Sequence, residues 1–132
     1  MRTLSIIVGL VLFCFTNGTA QHINTDSIGA KAVSDNLYNK ALFGDSLANS
    51  FIIIIKKEVK LHKHIKHSEH VVVLEGVGQM KLGDTNFEIK KGDVIFIPKN
   101  TVHSVKSIGQ MPLKVLSVQA PNFDGKDRVF ID

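Results

Sequence analysis

Residues 70–97 read HVVVLEGVGQMKLGDTNFEIKKGDVIFI, and they are the most informative stretch of the chain for its fold class. Short apolar runs, many of them β-branched, alternate here with turn residues, which is the pattern of consecutive strands. The spacer Gly83-Asp84 has two residues and begins with glycine, as in a tight hairpin. The strands predicted in this stretch are His70–Leu74, Gln79–Leu82, Thr85–Ile89 and Val94–Ile97, the last of them closed by Pro98.

The same pattern of short apolar runs and turn residues continues on both sides of this stretch. Phe51–Ile55 is apolar on both of its faces, which predicts a strand that is covered on both sides. Further strands are predicted at Val102–Val105, Leu113–Val118 and Arg128–Ile131. About eight short strands without a long helix predict an all-β protein, either an antiparallel sandwich or a small barrel.

The N-terminal residues 1–20 differ in composition from the rest. A single positive charge is followed by the apolar run Ile6–Phe15 and then by small and polar residues that end at Ala20. This layout predicts a secretory signal peptide that is cleaved after Ala20, and hence a secreted or periplasmic protein. The apolar run is about ten residues, half of what a membrane span needs, so no stable membrane insertion is expected after cleavage. Cleavage would also remove Cys14, the only cysteine.

Between the signal peptide and the strands, residues 21–48 are mixed polar and show no clear period. We predict an N-terminal arm over 21–48, with a short helix or a loop at Lys31–Leu42, and a barrel domain over 49–132. A homodimer is a further expectation, because sheet edges pair readily and the arm could support the pairing. The formal net charge is +4 and the lysines are scattered. A nucleic-acid partner is not expected, since that would require a clustered basic surface.

Five of the six histidines lie between residues 62 and 103. His62 and His64 are two apart, so on a strand both rings point to one face. Glu69 is an odd number of residues from both histidines, so on a continuous strand it would point to the opposite face. A turn between His64 and Glu69 is therefore required to bring the carboxylate to the inner face. His103 arrives from another hairpin. A buried carboxylate is costly unless a cation balances it, so His62, His64, Glu69 and His103 are predicted to hold one divalent ion.

Other polar residues near this group have weaker assignments. His67 lies in the resetting turn and is predicted to be a solvated loop residue, with a swing to the metal as the alternative. His70 faces away from Glu69, so it is expected to point outward or between sheet layers. Asp124 and Asp127 are interpreted as cap or turn residues rather than ligands.

A narrow apolar cavity is expected beside the metal. Such a cavity suits a small, partly apolar or aromatic ligand or substrate. The residues predicted to line it, together with His67, are Val71, Val73, Phe87, Phe96 and Val105.

Two motifs in this region resemble those of the cupin superfamily. The first is His62-x-His64-x4-Glu69-x6-Gly76, and the second is Gly92-x5-Pro98-x-Asn100-x2-His103. The resemblance covers about residues 50–120. It implies a small antiparallel jelly-roll β-barrel and, as metal ligands, the same three histidines and glutamate. The chain departs from the family pattern at three positions outside this ligand set, which are Lys56, Asn100 and Ser107. Asn100 stands where glycine is common, and asparagine tolerates left-handed backbone.

The ligand set does not identify the ion. Three imidazoles and one carboxylate suit Zn, Mn, Fe, Ni, Cu or Co, and loading outside the cytoplasm would favour zinc or copper. Two function classes remain open. A metalloenzyme, of oxygenase or isomerase/lyase type, is favoured slightly by a metal site with open positions. A non-catalytic binding or sensing module is favoured by the lack of a clearly placed second acid–base group, and no catalytic residue is assigned.

Overall fold

The computed structural model describes residues 20–29 and 35–132. The signal peptide predicted for residues 1–20 lies outside these ranges except for Ala20, and Cys14 lies outside them as well. In the described ranges, no helix has the length and apolarity that crossing a bilayer requires.

The described residues form one short 3-10 helix and ten strands. The helix is Thr25–Ser27. The strands are β1 Leu37–Gly44, β2 Asn49–Ile55, β3 Glu58–His64, β4 Ser68–Glu75, β5 Val77–Leu82, β6 Thr85–Lys90, β7 Val94–Ile97, β8 His103–Ser107, β9 Leu113–Ala120 and β10 Arg128–Phe130.

The strands build two five-stranded sheets, in the orders β1-β2-β9-β4-β7 and β10-β3-β8-β5-β6. Neighbouring strands pair antiparallel throughout both sheets. This arrangement confirms the prediction of an all-β, antiparallel jelly-roll barrel. The main apolar core lies between the sheets, and it includes Ile55 and Val73.

Strand β2 shows why an almost wholly apolar strand is stable here. Ile52 and Ile54 face a smaller core together with Ile28, while Ile55 faces the main core between the sheets. Successive side chains of a strand point to opposite faces, so both faces of β2 are covered. The prediction of a strand buried on both sides is therefore confirmed.

The structure corrects the assignment of the segment before β2. The sequence predicts a short helix or a loop at Lys31–Leu42. Residues 31–34 lie outside the described ranges, but residues 37–44 form β1, which pairs along β2 from Leu37↔Ile55 to Gly44↔Asn49. The sheet therefore begins within the segment that the sequence assigned to an arm, before the predicted boundary at residue 49. Residues 37–44 contain no valine or isoleucine and so give a weak local strand signal. Their conformation comes from backbone pairing with β2.

Two turn residues have the backbone conformation that their types allow. Asn100 has a φ of 64°, so asparagine occupies the left-handed region as expected. Gly76 has a φ of 81°, and a Cβ built on it would lie 2.5 Å from the carbonyl oxygen of Pro112. Because backbone blocks that position, the turn between β4 and β5 requires glycine.

Candidate metal centre

The structure brings together all four residues that were predicted as ligands. His62 and His64 lie on β3, Glu69 on β4 and His103 on β8, and each is at most 6% exposed. The ligand atoms of the three histidines lie within 4.8 Å of one another, so they form a group able to hold a metal ion. Oε2 of Glu69 lies 3.9 Å from Nε2 of His64 and 3.7 Å from Nε2 of His103.

The register reset that the sequence required is present. Strand β3 ends at His64 and β4 begins at Ser68, with a non-strand connection between them. Glu69 is buried after this turn. His70 is exposed, and its ring lies against that of Phe96 at a 40° tilt, with the centroids 4.8 Å apart. The Glu69 carboxylate therefore lies beside the histidines, although an unbroken strand would have placed it on the opposite face.

Hydrogen bonds set the orientation of the three imidazoles. Each Nδ1 lies close to an oxygen acceptor: Lys60 O for His62 at 2.8 Å, Thr101 O for His103 at 2.9 Å, and Asp127 Oδ1 for His64 at 3.2 Å. Since these oxygens carry no proton, Nδ1–H is the donor and Nε2 keeps a free lone pair. Nε2 of His64 is buried without a hydrogen-bond partner. A divalent ion would satisfy this orphaned atom, and the residues present fit such an ion.

Burial keeps the imidazoles neutral. Desolvation, reinforced by the neighbouring His103, lowers the pKa of His62 to about 3. Desolvation, reinforced by His67, lowers the pKa of His64 to about 4. The pKa of His103 is lowered for the same main reason. Metal ions bind deprotonated imidazole, so the group is ready to coordinate at neutral pH.

The metal-free protein is expected to lose stability on acidification. The folded pKa values of His62 and His64 lie below the unfolded value of about 6.5, so the unfolded state takes up protons first as the pH falls. The two neutral histidines contribute their full stability above about pH 6.5. That contribution is lost as the pH falls from there towards the pKa values of the folded state. The loss for each histidine is on the order of 1 kcal/mol per pH unit in this window.

Urea midpoints of chelator-treated protein between about pH 7 and pH 5 measure this loss. His62→Gln should make the pH dependence shallower, because one titrating group is removed. A midpoint that does not change over this range would contradict the prediction.

Strand β9 supplies partners for Glu69 that the sequence analysis missed. The hydroxyl of Ser117 donates to Glu69 Oε1 at 2.5 Å, and Nε2 of Gln119 donates to Ser117 Oγ at 3.1 Å. Both side chains are buried, and they continue the inward positions of Leu113 and Val115. Polar residues at inward positions of an apolar strand are the signal that could have identified them.

The structure corrects the assignments of His67 and Asp127. His67 is 2% exposed rather than solvated, and its Nδ1 lies 2.8 Å from Asp127 Oδ2. Asp127 is buried, and Oδ2 also accepts the backbone N–H of Lys66 at 3.0 Å. Together with the contact to His64, these interactions make Asp127 a positioning residue rather than a simple turn residue. Phe123 and Asp127 contact the residues of the turn after β3, and no local pattern reveals these contacts.

A cavity of about 70 Å³ adjoins the histidines. Val71 and Val105 are among its lining residues, whereas His67 is not. Val73 is buried in the core and Phe87 packs against that core, but neither lines the cavity. Phe96 is 51% exposed, so its predicted role is wrong. Side chains of β7 alternate, and the inward ones are Ile95 and Ile97.

The cavity has an apolar wall and a polar end. The wall includes Ile53, Val71, Leu113 and Val115. The polar end includes His62, Glu69, His103 and Arg128. A small ligand in this cavity would contact apolar side chains on one side and residues of the candidate metal group on the other.

Comparison with known proteins is consistent with this architecture. A family model described as mannose-6-phosphate isomerase C-terminal matches residues 45–131. An uncharacterised protein of Methanocaldococcus jannaschii is 39% identical over 87 residues, which cover 66% of this chain and 69% of that protein. Mannose-1-phosphate guanylyltransferase RfbM of Salmonella typhimurium is 30% identical over 70 residues, which cover 53% of this chain but only 14% of that enzyme.

Solved structures agree with the fold. The RmlC-like cupin of Shewanella frigidimarina matches with a TM-score of 0.64 at 19% identity, covering 70% of this chain and 83% of that one. This likeness confirms the cupin double-stranded β-helix, while the sequence match identifies the family. Because the family model spans well over half of its length, the chain belongs to the mannose-6-phosphate isomerase C-terminal family of cupin domains.

Proposed function

We propose that this protein is a metal-dependent cupin enzyme of isomerase or lyase type that acts on a small organic molecule. The observation that carries the proposal is a buried cluster of three neutral imidazoles and one carboxylate, of which His62, His103 and Glu69 also line an apolar cavity. His62, His64, Glu69 and His103 would hold one divalent transition-metal ion. Such an ion polarises a carbonyl or enolate oxygen or lowers the pKa of a bound water.

The chain's own residues have separable roles in this proposal. The hydroxyl of Ser117 holds Oε1 of Glu69, so Oε2 is directed toward the histidines. A ligand that packs against the apolar wall would displace water from the cavity, which would strengthen electrostatic interactions at the polar end. The isomerase or lyase class is preferred to an oxygenase because the family takes its description from an isomerase.

A non-catalytic ligand-binding module is the second candidate. No histidine other than His62 and His103, and no tyrosine, lines the cavity among the described residues. The cavity therefore offers no obvious acid–base group beyond the ligand set. This observation favours a module that uses the same site to hold a ligand without converting it.

Solvent-deuterium exchange distinguishes the two candidates. The zinc- and manganese-loaded full chain is incubated in D₂O with a panel of small hydroxycarbonyl compounds and 2-oxo acids. Isomerase or lyase chemistry predicts deuterium incorporation or product formation by NMR, and His103→Ala should abolish it. A ligand that raises the melting temperature of the loaded protein without any exchange would support the binding module instead.

Export and metal content remain parts of the proposal. We propose a secreted or periplasmic protein with mixed or zinc-leaning occupancy, because zinc and copper bind tightest in the divalent series. Elemental analysis of protein purified from its native compartment tests this. Stoichiometric iron, or no metal at all, would contradict it.

A further inference from the structure

Arg128 lies on the same interior face as the metal-ligating histidines. Strand β10 pairs with β3 so that Arg128 lies opposite His64, and Phe130 lies opposite His62. Residues directly opposite each other on paired strands point to the same face of the sheet. Consistent with this, Arg128 lines the cavity together with His62, Glu69 and His103.

The guanidinium of Arg128 has no anionic partner in the described part of the chain. Its Nε is buried without a hydrogen-bond partner, and it forms no ion pair with a described carboxylate. The adjacent Asp127 is occupied by His64 and His67. Cζ of Arg128 lies 5.7 Å from the ring centroid of Phe123, which supports the planar group but does not balance its charge. A cation placed in this way is stabilised by an incoming anion.

The cavity restricts the chemistry of that anion. A guanidinium recognises carboxylate and phosphate oxygens with paired hydrogen bonds. Arg128 is the only lysine or arginine among the described lining residues, so one negative charge matches it better than a phosphate dianion. The cavity of about 70 Å³ corresponds to roughly five to seven waters, at about 10–15 Å³ for each. A short aliphatic acid has this size.

We propose that Arg128 binds the carboxylate of a small monocarboxylic acid, whose short aliphatic tail lies against Ile53, Val71 and Val115. The inference rests on the proposed function, because the acid would lie beside the histidines that would hold the metal. It adds the substrate class and a specificity-determining residue to that site.

Butyrate and butyramide are a matched pair of probes, since they share a tail and differ in charge. Calorimetric titration of the zinc-loaded full chain should show butyrate binding at least about tenfold more tightly, as expected for charge-assisted hydrogen bonds. In Arg128→Gln, butyrate and butyramide should bind with about equal affinity, a ratio of about one. Arg128→Lys keeps the charge without the paired donors and should retain only part of the preference.

Control measurements separate this inference from the proposed function. Zinc content and circular dichroism are measured for every variant, and Lys66→Gln removes an exposed positive charge as the matched control. Equal binding of acid and amide by the zinc-loaded wild type, or an unchanged preference in Arg128→Gln, would overturn the inference alone. Tighter binding of inorganic phosphate than of butyrate would overturn the carboxylate assignment. A wild-type protein that binds no zinc would instead overturn the proposed function, and this inference with it.

Discussion

His64→Ala is expected to lower the affinity for Zn²⁺ by at least about a hundredfold, which removes stoichiometric metal at micromolar concentrations. His64 supplies a buried Nε2 that has no other partner, and its Nδ1 contacts Asp127. The substitution removes one of the four proposed ligands and also leaves a carboxylate oxygen of Asp127 without its imidazole. Metal content after dialysis and competition with a chromophoric chelator measure the change.

Glu69→Gln tests the same candidate metal group with a side chain of nearly the same shape as glutamate. The amide oxygen can still accept the Ser117 hydroxyl, but the negative charge that balances the ion is lost, so the affinity should fall by about tenfold or more. His70→Ala is the matched control, because His70 is the next residue on β4 and points to solvent. Retention of full metal content by His64→Ala and Glu69→Gln would refute the assignment of the metal group.

Asp127→Asn is expected to weaken metal binding by about 10–100-fold and to lower the free energy of unfolding by about 1–3 kcal/mol. One carboxylate contacts two buried imidazoles and a backbone N–H, through Oδ1 to His64 and through Oδ2 to His67 and Lys66. The amide replaces one of these acceptors with a donor, so at least one N–H group loses its partner. Chelator competition measures the first effect and denaturant unfolding of the metal-free protein measures the second.

Asp124→Asn provides the control for this prediction. Asp124 lies on the same loop, but its side chain is half exposed and its ion pair with Lys66 spans 3.9 Å in solvent. An exposed pair of this kind contributes little to stability, so both measurements should stay close to those of the wild type. If Asp127→Asn behaved like Asp124→Asn, the assignment of Asp127 as a positioning residue for His64 would be wrong.

The positions of His62, His64 and Glu69 were predictable because they depend on a local property. Side chains alternate along a strand, so His62 and His64 had to share a face, and Glu69 could join them only after a turn. The structure has that turn between β3 and β4. His103 was expected from another hairpin, and it lies opposite His62 across the β3–β8 pairing.

Other parts of the fold and site were beyond sequence reasoning because they depend on distant pairing. Strand β1 has little intrinsic strand propensity and exists because β2 offers it hydrogen bonds. Ser117 contacts Glu69 only because β9 lies beside β4 in the same sheet. Phe96 was assigned inward from its apolar character, but the register of β7 on β4 places Ile95 and Ile97 inside instead.

The sequence by itself determined the strands that follow β1, the all-β class and the four residues of the candidate metal group. These follow from alternation, turn chemistry and motif spacing, which act over a few residues. Only the tertiary structure decided which residues hydrogen-bond to that group and which side chains lie opposite it in the cavity. Asp127 reaches His64 from 63 residues further along the chain, and Arg128 enters the cavity through the pairing of β10 with β3. No local signal encodes such contacts, because they form only when the two sheets close around their common core.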